Sequence, residues 1–219
     1  MELKIKLSSK DLERVFKTFS KKIKKPDIEH KYLPRAYYDT TDLLLHKNNI
    51  SLRVQYKPGK DGKMGSYEQT VKFEMPPGKK LSRGALLRKE CKNLLKSPAP
   101  DLSTVVDTEA AKATNPFINK KLVHIFTAAI ERRYFNIPVS TASGKGVVEV
   151  AFDVGDIIVT HNGRHYPFFE IEIEMKSGDP FAIDEIKKRI MDMAPSAQIQ
   201  PYSKSAQGSM IYKMLKEGI

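Results

Sequence analysis

The chain of 219 residues contains one cysteine, Cys91, which excludes an internal disulfide and any metal site built from several thiolates. No apolar run approaches the roughly 18 residues that a membrane-spanning helix needs, so no membrane partner is expected. The first residues, MELKIKLSSK, lack the apolar core and small-residue cleavage site of a secretory signal, and a cytoplasmic location is expected. The histidines His30, His46, His124, His161 and His165 are scattered without a zinc spacing and read as structural or surface residues. Zinc-finger, RNP-like and basic-zipper patterns are also missing, so no nucleic-acid partner is expected. Negative charge is the scarcer sign: 26 Asp and Glu stand against 38 Lys and Arg, a net charge of +12. That excess suggests an anionic partner without naming it. Part of it lies in runs such as KTFSKKIKK, which read as a solvated helix face and its exit loop.

What is present is ordinary in bulk, with 40% hydrophobic and 29% charged residues, enough to bury a sizeable core. No repeat or linker divides the chain, so a single domain over 1–219 is expected. MELKIKL reads as a strand. SSKDLERVFKTF reads as a capped helix with Leu12, Val15, Phe16 and Phe19 at helical spacing. AYYDT, ISLRVQY and YEQTVKFE are strand-like, the last two joined by the polar hairpin loop KPGKDGKMGS. ALLRKECKNLL fits strand or helix equally well. PFINKKLVHIFTAA reads as helical, IERRYFNIPV as a strand, and VVEVAFDVGDIIVTHNG, after the TASGKG turn, as a hairpin. FFEIEIEMK is a further strand. SGDPFAIDEIKKRIMDMA predicts an amphipathic helix with Asp179 as N-cap and Pro180 at its first position, and SMIYKMLKEG a short terminal helix.

The run EIEIE is the least usual feature. Alternate strand residues share a face, so Glu170, Glu172 and Glu174 lie together opposite Ile171 and Ile173. Other strands alternate likewise: Glu2, Lys4 and Lys6 oppose Leu3, Ile5 and Leu7; Arg53 and Gln55 oppose Leu52 and Val54; Glu149 and Asp153 oppose Val148, Val150 and Phe152. Lys72 shares a face with Glu68, Thr70 and Glu74, and Arg132 with Ile130 and Tyr134. An antiparallel sheet with one face in water gives the same alternation. Three glutamates in register nevertheless repel: at about 7 Å each neighbouring pair costs about 2 kcal/mol at an effective dielectric near 20, and about half a kcal/mol when fully hydrated. Cations among the carboxylates make the arrangement favourable. One ion with oxygens at about 2.0–2.1 Å cannot collect residues about 13 Å apart along a strand, so further ligands must come from neighbouring strands. Glu2, Glu149 and Asp153 are the candidates, and basic strands facing acidic ones would hold a polyanion through its metal.

Six segments, in order, carry a family resemblance. YYDTTDLLLHKNNISLRVQ resembles "Y(F/Y)DTxDxxLxxxxxxLRxR", and MELKIKL the end of an ExExK strand. YEQTVKFE is similar to a strand ending in a Lys, and IERRYF to a later Arg strand. VEVAFDVGDI followed by FFEIEIEMKSGD resembles "ExxxDxG…ExExE…GD", and PYSKSAQGS resembles "SKxxRG". Together they resemble the CYTH, or triphosphate tunnel metalloenzyme, superfamily over nearly the whole chain.

The resemblance implies an α+β fold: an eight-stranded antiparallel β-barrel forming a tunnel with a charged interior, flanked by α-helices. It implies hydrolysis of a triphosphate anhydride with Mg²⁺ or Mn²⁺, inorganic tripolyphosphate being preferred because no segment suggests a base or vitamin pocket. Thiamine triphosphatase, class IV-type adenylate cyclase acting on ATP, and a non-catalytic polyanion binder are the alternatives. Carried over by position, Glu2, Asp153, Glu170 and Glu172 are the expected metal ligands. Lys4, Arg53, Lys72, Arg88, Arg132 and Lys204 are expected on phosphate oxygens, and Glu172, Glu174 and Glu149 in catalysis, the last two as candidates to position water. The oligomer is expected to be a monomer or homodimer. Three positions depart from the pattern. The first Glu of ExExK falls before Met1 when Lys4 takes the Lys position, and Gln55 and Gln207 stand where Arg is common.

Overall fold

The computed structural model of the chain describes residues 2–21, 27–59, 64–74 and 88–218, those of Glu74 and Arg88 by backbone alone. The elements in chain order are β1 (Glu2–Lys6), α1 (Ser9–Ser20), β2 (Glu29–Asp39), α2 (Leu44–Lys47), β3 (Ile50–Lys57), β4 (Ser66–Glu74) and β5 (Arg88–Leu95). They continue with α3 (Thr108–Thr114), β6 (Val123–Ser140), β7 (Lys145–Val159), β8 (His165–Gly178), α4 (Ala182–Met193), β9 (Gln198–Ile199) and α5 (Lys204–Lys216). The strands form a sheet in the order β5-β4-β3-β2-β6-β7-β8-β1-β9. The expected α+β class, an antiparallel sheet flanked by helices, is borne out, with nine strands among the described residues instead of eight. The extra strand is the two-residue β9, paired to β1 through Ile5 and Ile199.

By its contacts the chain forms two compact units. The first comprises Met1–Leu33, Ala129–Ile157 and Tyr166–Ser203; the second comprises Pro34–Ala128, Ile158–His165 and Lys204–Ile219.

In the first unit the period-two pattern does what it predicts. β1 runs antiparallel to β8 with Leu3 opposite Ile173 and Ile5 opposite Ile171, so the isoleucines of EIEIE enter one apolar face. Ile5, Val148, Val150, Phe152, Ile171 and Ile173 pack there with Leu12 and Val15 of α1 and Ile183, Ile186 and Ile190 of α4. Each such fully buried side chain contributes about 1.5–3 kcal/mol. α1 starts as its sequence predicts: the Ser8 hydroxyl accepts from the Asp11 amide at 3.2 Å. The buried Asp11 carboxylate in turn accepts from the Ser196 amide and hydroxyl, 2.9 and 2.5 Å away, tying α1 to the chain after α4. Two sequence expectations shift here. α4 begins at Ala182, and Asp179 accepts from the Phe181 amide at 3.0 Å, so it closes the turn before the helix in place of capping it. VVEVAFDVGDIIV is a single strand, not two arms of a hairpin. Its Gly155 lets the neighbouring backbone come close, for a Cβ there would lie 2.0 Å from the Ala129 carbonyl oxygen.

In the second unit β3 pairs with β4 and β4 with β5, placing Lys72 opposite Glu90 and Thr70 opposite both Arg53 and Lys92. Leu45, Ile50, Leu52, Val71, Phe73, Leu102, Val105, Ala110 and Phe117 form its core, with half-buried Cys91 packed against them as a plain thiol. The YYDTTD stretch is a folding device. The buried Asp39 carboxylate accepts from the amides of Thr40, Leu45 and His46 at 2.7, 2.8 and 2.9 Å, while Leu43 takes a left-handed φ of 60°. Burial raises the Asp39 pKa, and those three amides oppose the rise. Tyr37 stacks on Phe126 with ring centroids 4.4 Å apart, and Gly208 of α5 lies where a Cβ would meet the Phe126 ring at 2.3 Å. PFINKKLVHIFTAA is not helical. One turn of 3-10 helix, Asn115–Phe117, gives way to β6, where Val123, Ile125 and Thr127 follow strand preference over helical spacing. RKECKNLL resolves as strand. Among the described residues no helix is long and apolar enough to cross a membrane.

Candidate functional site

Opposite the apolar face, the strands of the first unit bring acids together. β7 presents Asp153 and β8 presents Glu170 and Glu172, and one carboxylate oxygen from each lies within 4.8 Å of the other two. Asp153 is 0% and Glu170 1% exposed. Three like charges this deep require a cation, and β6 supplies one. Arg132 Nε and a terminal nitrogen each donate to an Asp153 oxygen at 2.6 Å, and the same terminal nitrogen also donates to Glu172. Burial alone would lower the Arg132 pKa, but the bond to Asp153 and the charge of Glu172 carry it above its ordinary value.

The remaining acids of this face have lysine partners. Register places Lys4 opposite Glu172, Lys6 opposite Glu170 and Glu2 opposite Glu174. Glu2 pairs with Lys4 at 2.5 Å, so the acidic cluster contains three of the four expected metal ligands, and Glu2 pairs beside it. Glu174, the most exposed of the three at 50%, and Glu149 share Lys176, whose Nζ is 2.9 and 3.1 Å from them. Burial opposes the Lys176 charge, and the two carboxylates outweigh it and raise its pKa. An all-oxygen donor set of one aspartate and two glutamates suits a hard divalent ion such as Mg²⁺ or Mn²⁺.

In the second unit the signs reverse. Lys72 Nζ lies 2.5 Å from one Glu90 oxygen, while Lys92 and Arg53 lie 2.8 and 3.7 Å from the other. Burial works against the Glu90 charge, but hydrogen bonds from Lys72 and Lys92, with the fields of Lys72 and Arg53 behind them, bring its pKa down to about 2. The Nε of Arg53 is buried and has no hydrogen-bond partner among the described residues. Gln55, at a position where Arg was expected, accepts from Arg35 Nε at 3.3 Å, so a guanidinium from β2 stands beside it. Lys204 is buried at the first residue of α5. The Arg88 side chain lies outside the described residues.

Sequence reasoning missed Glu90, Lys92, Arg35 and Lys176. For the first two a signal existed. Glu90 and Lys92 alternate within RKECKNLL, and reading that run as a strand puts both on the face of Lys72. Arg35 carries no local mark, since its partner Gln55 comes from another strand, whereas Lys176 continues the alternation of EIEIEMK on the face of Glu174 and was legible there.

The family model for the CYTH domain matches residues 1–209 of the chain. Among solved structures, a candidate adenylate cyclase from Bacillus halodurans is similar with a TM-score of 0.54 at 19% identity, covering 94% of each chain. A candidate adenylyl cyclase from Hippeastrum, described as having a dominant triphosphatase activity, gives a TM-score of 0.52 at 13% identity over 99% of this chain and 95% of its own. At such identities the likeness is one of fold. Among curated proteins none matches.

Proposed function

The chain belongs to the CYTH domain family, and on that premise we propose that it is a metal-dependent hydrolase of triphosphate anhydrides, with inorganic tripolyphosphate its preferred substrate. The observation that carries this reading is the buried group of Asp153, Glu170 and Glu172, a donor set that fits Mg²⁺ or Mn²⁺. Those three side chains would hold the ion, which when bound would supply positive charge to the anhydride oxygens. Arg53, Lys72 and Lys92 bind phosphate oxygens: the fork of Arg53, whose Nε has no partner among the described residues, grips two, and the lysines act as compact charges. Lys4, Lys204, Arg88 and Arg132 complete the proposed cationic set. Arg35 beside Gln55 offsets the missing arginine at that position. Glu149 and Glu174, which share the Lys176 ammonium, are the candidates to order and deprotonate the attacking water. We place the activity in the cytoplasm.

One assay tests this. Purified protein receives tripolyphosphate, thiamine triphosphate or ATP, each with Mg²⁺ or Mn²⁺ and each with a chelator control. Phosphate release from tripolyphosphate, abolished by chelator, is the expected result. Cyclic AMP from ATP would replace the reading with a cyclase. Tight tripolyphosphate binding without any product would replace it with a non-catalytic polyanion binder.

A further inference from the structure

The acidic cluster already contains a cation, and it sits on the metal ligands themselves. Arg132 engages both oxygens of Asp153 at 2.6 Å and also bonds Glu172, two of the three side chains assigned to the ion. Arg132, Asp153 and Glu172 all belong to the first unit, so no movement of one unit against the other is involved. A divalent ion drawing on the same oxygens would meet a fixed positive charge a few ångströms away, in surroundings where Asp153 has no exposed surface. Guanidinium and metal therefore compete for the same lone pairs. A guanidinium also binds the oxygens of phosphate in the forked geometry it uses here on Asp153.

We propose that Arg132 is an exchangeable counter-ion, so that the protein takes a divalent ion and a polyanion together and resists the bare ion. In the ligand-free protein Arg132 neutralises Asp153 and Glu172. A polyanion that engages the guanidinium frees those carboxylates for the ion, and the ion in turn releases Arg132 to the polyanion. Linkage makes the enhancement equal in both directions. This rests on the reading of Asp153, Glu170 and Glu172 as metal ligands.

The test reads Mn²⁺ binding to the full chain by electron paramagnetic resonance, with no turnover measured. Sulfate, which complexes Mn²⁺ only weakly in solution, serves as a dianionic stand-in for the polyanion. Arg132→Met should bind Mn²⁺ about tenfold tighter than the wild type, within the range usual for coupled sites, and should not respond to sulfate. The wild type should tighten several-fold when sulfate is added, and Arg132→Lys, which cannot fork, should fall between the two. Equal or weaker Mn²⁺ binding by Arg132→Met overturns the exchange. If that variant fails to fold, Arg132→Lys and the wild-type sulfate series decide, and no tightening in either overturns it. Glu170→Gln separates the two readings. Mn²⁺ binding that survives this change removes the ion from the cluster. Binding that is lost with Glu170 yet indifferent to Arg132 and sulfate defeats the exchange alone.

Discussion

The two units solve one electrostatic problem in opposite ways. In the first, the Asp153 and Glu170 carboxylates are buried and Glu172 nearly so, and Arg132 pairs with Asp153 and Glu172. In the second, Lys72 and Lys92 are partly exposed while Arg53 is largely buried, and Glu90 pairs with all three. The difference in burial sets the energetics. Removing one partner of a buried pair leaves an uncompensated charge and costs about 3–5 kcal/mol, whereas exposed pairs are screened and are worth about 0–1 kcal/mol. The acidic cluster is thus strongly committed to holding some cation at all times. The basic cluster tolerates gain or loss of its anion at smaller cost, which suits the phosphate-binding role proposed for it.

The largest effect should therefore come from the acidic unit. Glu172→Gln keeps the size of the side chain and removes one of the charges facing Arg132 and the ion. Metal-dependent phosphate release should fall by about 10²-fold or more, since the Lewis-acid contribution of a bound ion is several kcal/mol. Circular dichroism should stay close to wild type, because Arg132 keeps both of its bonds to Asp153 and is not left uncompensated. A variant that retains the wild-type rate takes Glu172 out of the mechanism.

An intermediate effect is expected from the basic unit. Arg53→Met removes a forked donor and leaves Lys72 and Lys92. One charge-assisted contact is worth about 1.5–3 kcal/mol, so kcat/KM for tripolyphosphate should drop about 10- to 100-fold, mainly through KM. Mn²⁺ affinity measured without polyanion should not change. A fall in Mn²⁺ affinity equal to that in kcat/KM would break the division of labour between the two units.

How much of this was legible beforehand differs between the same two units. The face assignments of EIEIE, ISLRVQ and YEQTVKFE follow from period two alone, and both Ile171 and Ile173 are fully buried as that pattern requires. The pattern could not rank Glu170, Glu172 and Glu174, which run from buried to half-exposed along one strand, because depth depends on what lies across the sheet. YYDTTD is the most specific motif of the resemblance, yet its aspartate is spent on amides of its own turn, a role that only the backbone geometry reveals. LVHIFTAA satisfied helical spacing and strand preference at once, and sheet pairing decided between them. The basic unit lost most in the reading, since RKECKNLL had no assigned element. Its Glu90, an acid held by three cations, then had no place in a picture of acidic strands and basic strands.

Glu90 gives the smallest and most diagnostic effect. Its folded pKa, about 2, lies below the ordinary carboxylate value of 4.5, so its pairing with Lys72, Lys92 and Arg53 stabilises the protein wherever the unfolded chain also carries the charge. That contribution is complete above about pH 4.5 and is lost as pH falls through about 2. Glu90→Gln should lower stability at pH 7 by on the order of 1 kcal/mol once solvent screening is allowed for. Denaturant titrations of the two proteins should converge as pH falls from 4.5 to 2. At neutral pH the same change leaves three cations without their internal anion, so sulfate should bind the variant a few-fold tighter, a gain of about 1 kcal/mol at most. If stability and sulfate affinity both fall, Glu90 organises the cations more than it competes for them, and the basic cluster resembles the acidic one more closely than burial suggests.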